Sequence, residues 1–300
     1  MDIREALHSG RPLLLDAAMG TELARRGADT RPPLWSARAL RDDPGLVRAI
    51  HAENVAAGAH VLTANTFRLH SRNRERERPG IFLEGERNPG SGPLIALAVA
   101  LARDAAAGRL VWVAGSLAPL EDCYRPDLVP SDAALAGEHQ EMAEALAKAG
   151  CDLILVETMN AIRELVAATK AAVGTGLPVV ASMVTDGRGH LLSGESVAEA
   201  GRALVALVPR PDVVGVNCVP VRVIGVDLAR LRAAAHDIPL CVYANTGRAL
   251  DEAKGLFTDP VTPEDYARLA AGWLAAGRVA RVGGCCGTTA AHTAALRRIV

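Results

Sequence analysis

A rhythm of eight short apolar runs, each followed by an Ala/Leu/Arg/Glu-rich stretch, constrains this chain more than any other feature. The runs are LLLDAAMG (13–20), HVLTANTF (60–67), LVWVAGS (110–116), CDLILVET (151–158), PVVASMV (178–184), VVGVNC (213–218), PLCVYAN (239–245) and ARVGGCC (280–286). They are continuously apolar rather than alternating, the pattern of strands buried on both faces in a parallel sheet. Stretches of helical character lie between them, as at 44–58, 94–108, 132–150 and 196–207, and several close on Gly as helix C-termini do. Strand–helix units in this number predict a (β/α)8 TIM barrel, with a doubly wound open sheet as the alternative. No linker divides the chain, so residues 1–300 read as one domain.

Half the residues are apolar but only 3% are aromatic, so the core must be built from Ala, Val and Leu. Lys and Arg total 33 against 34 for Asp and Glu. That balance leaves no basic surplus for nucleic acid. No apolar run approaches the roughly 20 residues that span a bilayer. The N-terminus, MDIREALHSGRP, has no apolar signal core, so a cytoplasmic location is expected. Six cysteines in that setting are read as metal ligands or catalytic thiols before disulfides. The polar stretch Arg68–Gly92 reads as a solvated loop over the barrel mouth, or as a lid closing on substrate.

Barrels of this kind place their chemistry at the C-terminal ends of the strands. There the sequence sets Asp16, Asn65-Thr66-Phe67, Gly115-Ser116, Glu157-Thr158, Asn217-Cys218, Asn245-Thr246 and Cys285-Cys286. Neighbours on a regular strand face opposite ways, so Cys285 and Cys286 would not normally converge. Gly283, Gly284 and Gly287 around them permit a turn that aims both sulfurs at one point. With Cys218 they would form a three-sulfur zinc site with one open position, the catalytic type. A vicinal disulfide and unliganded buried thiols are the alternatives. Cys123, Cys151 and Cys241 are better explained by packing or incidental exposure.

At these residues the sequence resembles the homocysteine S-methyltransferase family. That family includes S-methylmethionine-dependent and betaine-dependent enzymes and the homocysteine module of cobalamin-dependent methionine synthase. The matching segments are LLLDAAMGTELARRG, PPLWSARAL, ANTF, VAGSLAP, LILVETMN, GVNC, VYANTG and GGCCGTT, in family order from residue 13 to 289. The resemblance implies Zn2+ on Cys218, Cys285 and Cys286, with Asn245 as a fourth ligand when substrate is absent. It also implies that Asp16 and Glu157, with Thr66, bind the amino-acid end of homocysteine. Strand one departs from the commoner DGAMG, carrying Ala17 in place of a glycine.

The expected reaction is methyl transfer to the homocysteine thiol, forming methionine. Asp16 and Glu157 suit an ammonium group, and backbone N–H groups after Gly20 suit a carboxylate. Quaternary ammonium donors favour aromatic cages, yet the chain has only three each of Trp, Tyr and Phe. Of these, Trp35, Phe67 and Tyr124 fall where a cation could be met, Trp35 serving otherwise as a hydrophobic plug. The sequence also stops at Val300, without the extension of betaine-dependent members. A sulfonium donor, S-methylmethionine or S-adenosylmethionine, is therefore expected, with small molecules as the partners and no protein partner required. The alternatives are a homocysteine-activating subunit served by a separate corrinoid protein, and a non-catalytic zinc- or thiol-binding barrel.

Overall fold

The computed structural model describes residues 2–77, 92–248, 250–251, 256–277 and 279–300. Its strands are β1 (Leu13–Leu14), β2 (Val61–Ala64), β3 (Trp112–Leu117), β4 (Leu153–Met159), β5 (Val179–Met183), β6 (Val213–Pro220), β7 (Leu240–Asn245), β8 (Leu250–Asp251), β9 (Leu256–Phe257) and β10 (Val279–Gly284). All except the small antiparallel β8–β9 hairpin form one parallel sheet in the order β1-β10-β7-β6-β5-β4-β3-β2. A single Leu15–Val61 bridge joins its two edges, with the Asp16 N–H donating to the Val61 carbonyl at 3.0 Å. The result is the expected eight-stranded barrel.

The helices around it are α1 (Ile3–His8), α2 (Gly20–Arg25), α3 (Ala39–Asp42), α4 (Pro44–Ala56), α5 (Ser71–Glu77), α6 (Gly92–Ala106), α7 (Asp132–Lys148), α8 (Ile162–Gly174), α9 (Val197–Val205), α10 (Ile224–Ala234), α11 (Pro263–Ala275) and α12 (Ala290–Arg297). Their starts follow local chemistry. Asp43, Ser131, Ser196 and Thr262 each accept a first-turn backbone N–H, and Pro44 and Pro263 occupy first helical positions where a missing N–H costs nothing. Among the described residues no helix is long and apolar enough to cross a membrane.

Strand alternation sorts the apolar residues into two cores. Outward residues such as Leu62, Val113, Ile154 and Val214 pack with helix residues such as Val47, Ile50, Leu146 and Leu165. Inward residues such as Leu15, Val61, Leu155 and Val180 fill the barrel, joined by Ile3, Ala6 and Leu7 of α1. That helix sits at the N-terminal end, where Arg4 donates to the Gly176 carbonyl and His8 meets Asp212. At the lower level of the barrel the apolar pattern is broken by a cation. Arg281 pairs in register with Leu13 and Cys241, is fully buried, and its guanidinium nitrogens have no protein hydrogen-bond partner among the described residues. Burial lowers its pKa to about 10.

The stretch expected as a loop over the mouth is partly helical. Residues Ser71–Glu77 form α5, tied down by Arg72 to Glu121 and Glu138 and by Arg76 to Glu121. Gly92 already belongs to α6. The rest of the expected loop or lid, residues 78–91, lies outside the described residues.

Candidate active site

The strand ends open into a cavity of about 520 Å³ lined by Asp16, Glu157, Cys218, Cys285, Cys286 and Tyr124, among others. Cys218, Cys285 and Cys286 bring their sulfurs within 4.8 Å of one another, a set that could hold a metal ion. All six cysteines, Cys285 and Cys286 included, stand as free thiols. Convergence of the adjacent pair comes from the chain leaving β10 in a turn. Cys285 N–H donates to the Ala244 carbonyl at 2.8 Å, the Cys286 carbonyl accepts from Thr246, and Thr288 N–H closes on the Cys285 carbonyl.

Only one of the three flanking glycines supplies an unusual backbone angle, Gly287 at φ 81°. Gly283 and Gly284 are required for space instead. A Cβ at Gly283 would lie 2.5 Å from Leu15 Cβ, and one at Gly284 would lie 2.3 Å from Thr288 Oγ1. Cys218 reaches the cluster from the end of β6 with φ 58°, a left-handed conformation costly for a residue with a side chain.

Hydrogen bonds from Cys285 and Cys286 pull the Cys218 thiol well below its ordinary pKa. The Tyr124 hydroxyl lies 3.1 Å from Cys218 Sγ. The side chain of Asn245 also hydrogen-bonds Cys218, while its buried Oδ1 has no protein partner among the described residues. Three clustered sulfurs with an orphaned carbonyl oxygen beside them fit a borderline-soft metal.

The two carboxylates line the same cavity. Asp16 accepts from the Thr63 N–H and the Thr63 hydroxyl, both at 2.9 Å. Glu157 accepts from the Ser116 hydroxyl at 2.5 Å and is also hydrogen-bonded by Tyr243. Burial pushes each carboxyl up to about 7, against which these hydrogen bonds work. Behind Glu157 runs a buried polar chain. Tyr243 meets the Ser182 hydroxyl at 2.7 Å, Ser182 donates to Asn217 Oδ1 at 2.9 Å, and Asn217 engages Thr158.

The remaining expected residues divide. Gly20 and Trp35 line the cavity. A Cβ on Gly20 would stand 2.3 Å from the Trp35 ring, so the glycine admits the indole. Trp35 meets Phe67 edge-on at 5.6 Å, and Arg68 lies 5.6 Å over the Phe67 ring. Thr66 does not reach the cavity. It is fully buried, and its hydroxyl is used by the backbone N–H and carbonyl of Ser116, both at 2.9 Å. Thr63, three residues earlier, holds that place beside Asp16. Cys123, expected to be incidental, also lines the cavity. Thr63 and Tyr243 carry no strand-end position that would single them out in sequence. His51, inside a helix, carries none either.

A family model described as homocysteine S-methyltransferase matches residues 13–300. A homocysteine S-methyltransferase of Escherichia coli (strain K12) is 33% identical, over 95% of this chain and 94% of that protein. The selenocysteine methyltransferase of Astragalus bisulcatus is 26% identical, over 96% of this chain and 92% of its own length. The crystal structure of the homocysteine methyltransferase MmuM from Escherichia coli in its metallated form superposes with a TM-score of 0.80 at 29% identity, covering 99% of both chains. With the barrel, the thiol cluster and these matches together, the chain belongs to the homocysteine S-methyltransferase family of methyltransferases.

Proposed function

We propose that the chain moves a methyl group from a sulfonium donor, S-methylmethionine or S-adenosylmethionine, to the thiol of homocysteine, with zinc held by Cys218, Cys285 and Cys286. The observation carrying this reading is that two buried carboxylates and three clustered thiols face one cavity. An amino acid with a terminal thiol matches both ends of such a site. Zinc there supplies Lewis acidity, which favours the thiolate over a thiol of ordinary pKa about 8.5. Asn245, whose buried Oδ1 lacks a protein partner among the described residues, would serve as a further ligand before substrate arrives.

Asp16 and Glu157 receive the substrate ammonium in charge-assisted hydrogen bonds. The first N–H groups after Gly20 are offered to its carboxylate, a modest grip in a helix of six residues. Held at that end, the homocysteine sulfur is presented to the donor as an oriented nucleophile. Its lone pair forms a bond to the methyl carbon as the donor C–S⁺ bond breaks. The donor leaves as a neutral thioether, and the thiol proton goes to solvent. Of the four rings that line the cavity among the described residues, Arg68 already covers Phe67, and Tyr124 and Tyr243 are engaged by Cys218 and Glu157, which suits a sulfonium better than a quaternary ammonium caged by rings. Free thiols at the centre require a reducing compartment, as the cytoplasm provides.

Incubation of the purified protein with zinc, homocysteine and each sulfonium in turn tests the reading by methionine formed. No methionine from either donor overturns the sulfonium assignment. Methionine formed only when a methyl-corrinoid protein is added would favour a partner-served acceptor subunit instead.

A further inference from the structure

Asp16 has a neighbour that none of the chemistry above uses. His51, on α4, is fully buried, and its Nδ1 lies 3.9 Å from Asp16 Oδ2. That separation is beyond a hydrogen bond, and neither ring nitrogen has a protein partner among the described residues. A buried imidazole kept for packing alone satisfies at least one nitrogen, because an unmet buried polar group is costly. The helix is well fixed where it faces this strand end. Asn54, one turn further on the same face, accepts from the Ala17 N–H at 3.0 Å and from the Thr293 hydroxyl at 2.8 Å, while donating to the Ile50 carbonyl. Thus α4 grips the residue after Asp16 with one side chain and points another, unengaged, at the Asp16 carboxylate.

We infer that His51 is a positioning residue for the substrate ammonium, its Nδ1–H closing on Asp16 Oδ2 when the incoming ammonium holds that carboxylate in its charged form. The inference rests on the homocysteine reading above. Thr63 donates once to each Asp16 oxygen, which leaves lone pairs for both the ammonium and the imidazole. Burial lowers the His51 pKa to about 4, so the ring is neutral and acts as a donor, not as a competing cation.

Steady-state kinetics of zinc-loaded variants test this. His51→Leu is expected to raise the KM for homocysteine about tenfold, leaving kcat, the donor KM and zinc content as in the wild type. His51→Asn, whose amide N–H can replace Nδ1–H, is expected to recover most of that loss. With 4-mercaptobutyrate, an acceptor lacking the amino group, His51→Leu and wild type should perform alike. An unchanged homocysteine KM, or an equal penalty with 4-mercaptobutyrate, overturns the inference. Should the Leu variant fail to fold, His51→Asn is compared with His51→Gln, whose amide falls at the Nε2 position. Asn should outperform Gln, and parity overturns the inference. Homocysteine turnover by the wild type that is indifferent to His51 removes this inference alone, whereas no homocysteine turnover by the wild type removes the reading beneath it as well.

Discussion

Asn217 and Thr158 are clamped by two reciprocal hydrogen bonds, Asn217 Nδ2 to Thr158 Oγ1 at 2.8 Å and Thr158 N–H to Asn217 Oδ1 at 2.9 Å. The clamp lies between Glu157 and Cys218, the chain neighbours of its two members. Thr158 and Cys218 both hold positive φ, at 61° and 58°. Each such strained residue costs about 1–3 kcal/mol and persists only where its surroundings over-determine it. Asn217→Ala is therefore expected to lose about 2–4 kcal/mol of stability, from the two clamp hydrogen bonds and the one from Ser182, and to weaken zinc and homocysteine binding together. Urea unfolding, a zinc competition assay and the homocysteine KM measure the three effects. Stability lost with metal and substrate affinity intact would show that the clamp serves folding alone.

The carboxylates give a pH dependence with a definite sign. Asp16 and Glu157 rise from usual values of 3.8 and 4.5 to about 7 in the folded protein. Between those limits the native state holds protons the unfolded chain has released, so their contribution to stability declines as pH rises through that window. Asp16→Asn removes the Asp16 share. The variant should gain stability relative to wild type as pH moves from about 5 to about 8, read from paired denaturation curves. Wild-type affinity for homocysteine should climb over the same range more steeply than that of the variant. Parallel curves for the two proteins would contradict the assignment.

Metal content should follow the sulfurs singly. Cys285→Ala and Cys286→Ala are each expected to lose bound zinc and at least about a hundredfold in activity, in line with losing a ligand to a functional metal. Chelation of the wild-type protein should abolish turnover, and added zinc should restore it. Stoichiometric zinc retained by either variant, measured by atomic absorption, would refute the ligand set.

Arg281 is a liability carried inside the barrel. Buried ionic groups are often replaced by well-packed apolar side chains of similar volume at no cost or with gain, and the Arg281 guanidinium has no hydrogen-bond partner among the described residues. Arg281→Met is expected to stabilise the protein by about 1–3 kcal/mol without altering the homocysteine KM, as chemical denaturation and kinetics would show. A destabilised variant would mean the guanidinium meets a need of the fold that hydrophobic packing cannot supply.

The barrel was legible because its strands are continuously apolar, and the clustering of three cysteines because two motifs end the strands on either side of β7. Thr66 was expected beside Asp16, and Thr63 was not. β2 ends at Ala64, and past that point alternation no longer tells which hydroxyl faces inward. The α5 sequence SRNRERE has no apolar stripe, so it reads as a loop. Its order comes from ion pairs to Glu121 and Glu138, far along the chain. His51 stayed hidden for the opposite reason, because a lone histidine within an apolar helix face looks like core until the carboxylate beside it is seen.

The shortest stave in the barrel is β1, with two ladder residues on one side and a single bridge on the other. Asp16 follows directly, and its carboxylate takes the Thr63 N–H of the strand across the seam. The hoop is thus fastened by the very group proposed to read the substrate. A ligand that keeps Asp16 ionised strengthens the fastening, so the empty enzyme should breathe at this joint and the loaded one should hold it shut. Recognition and closure of the barrel become one act.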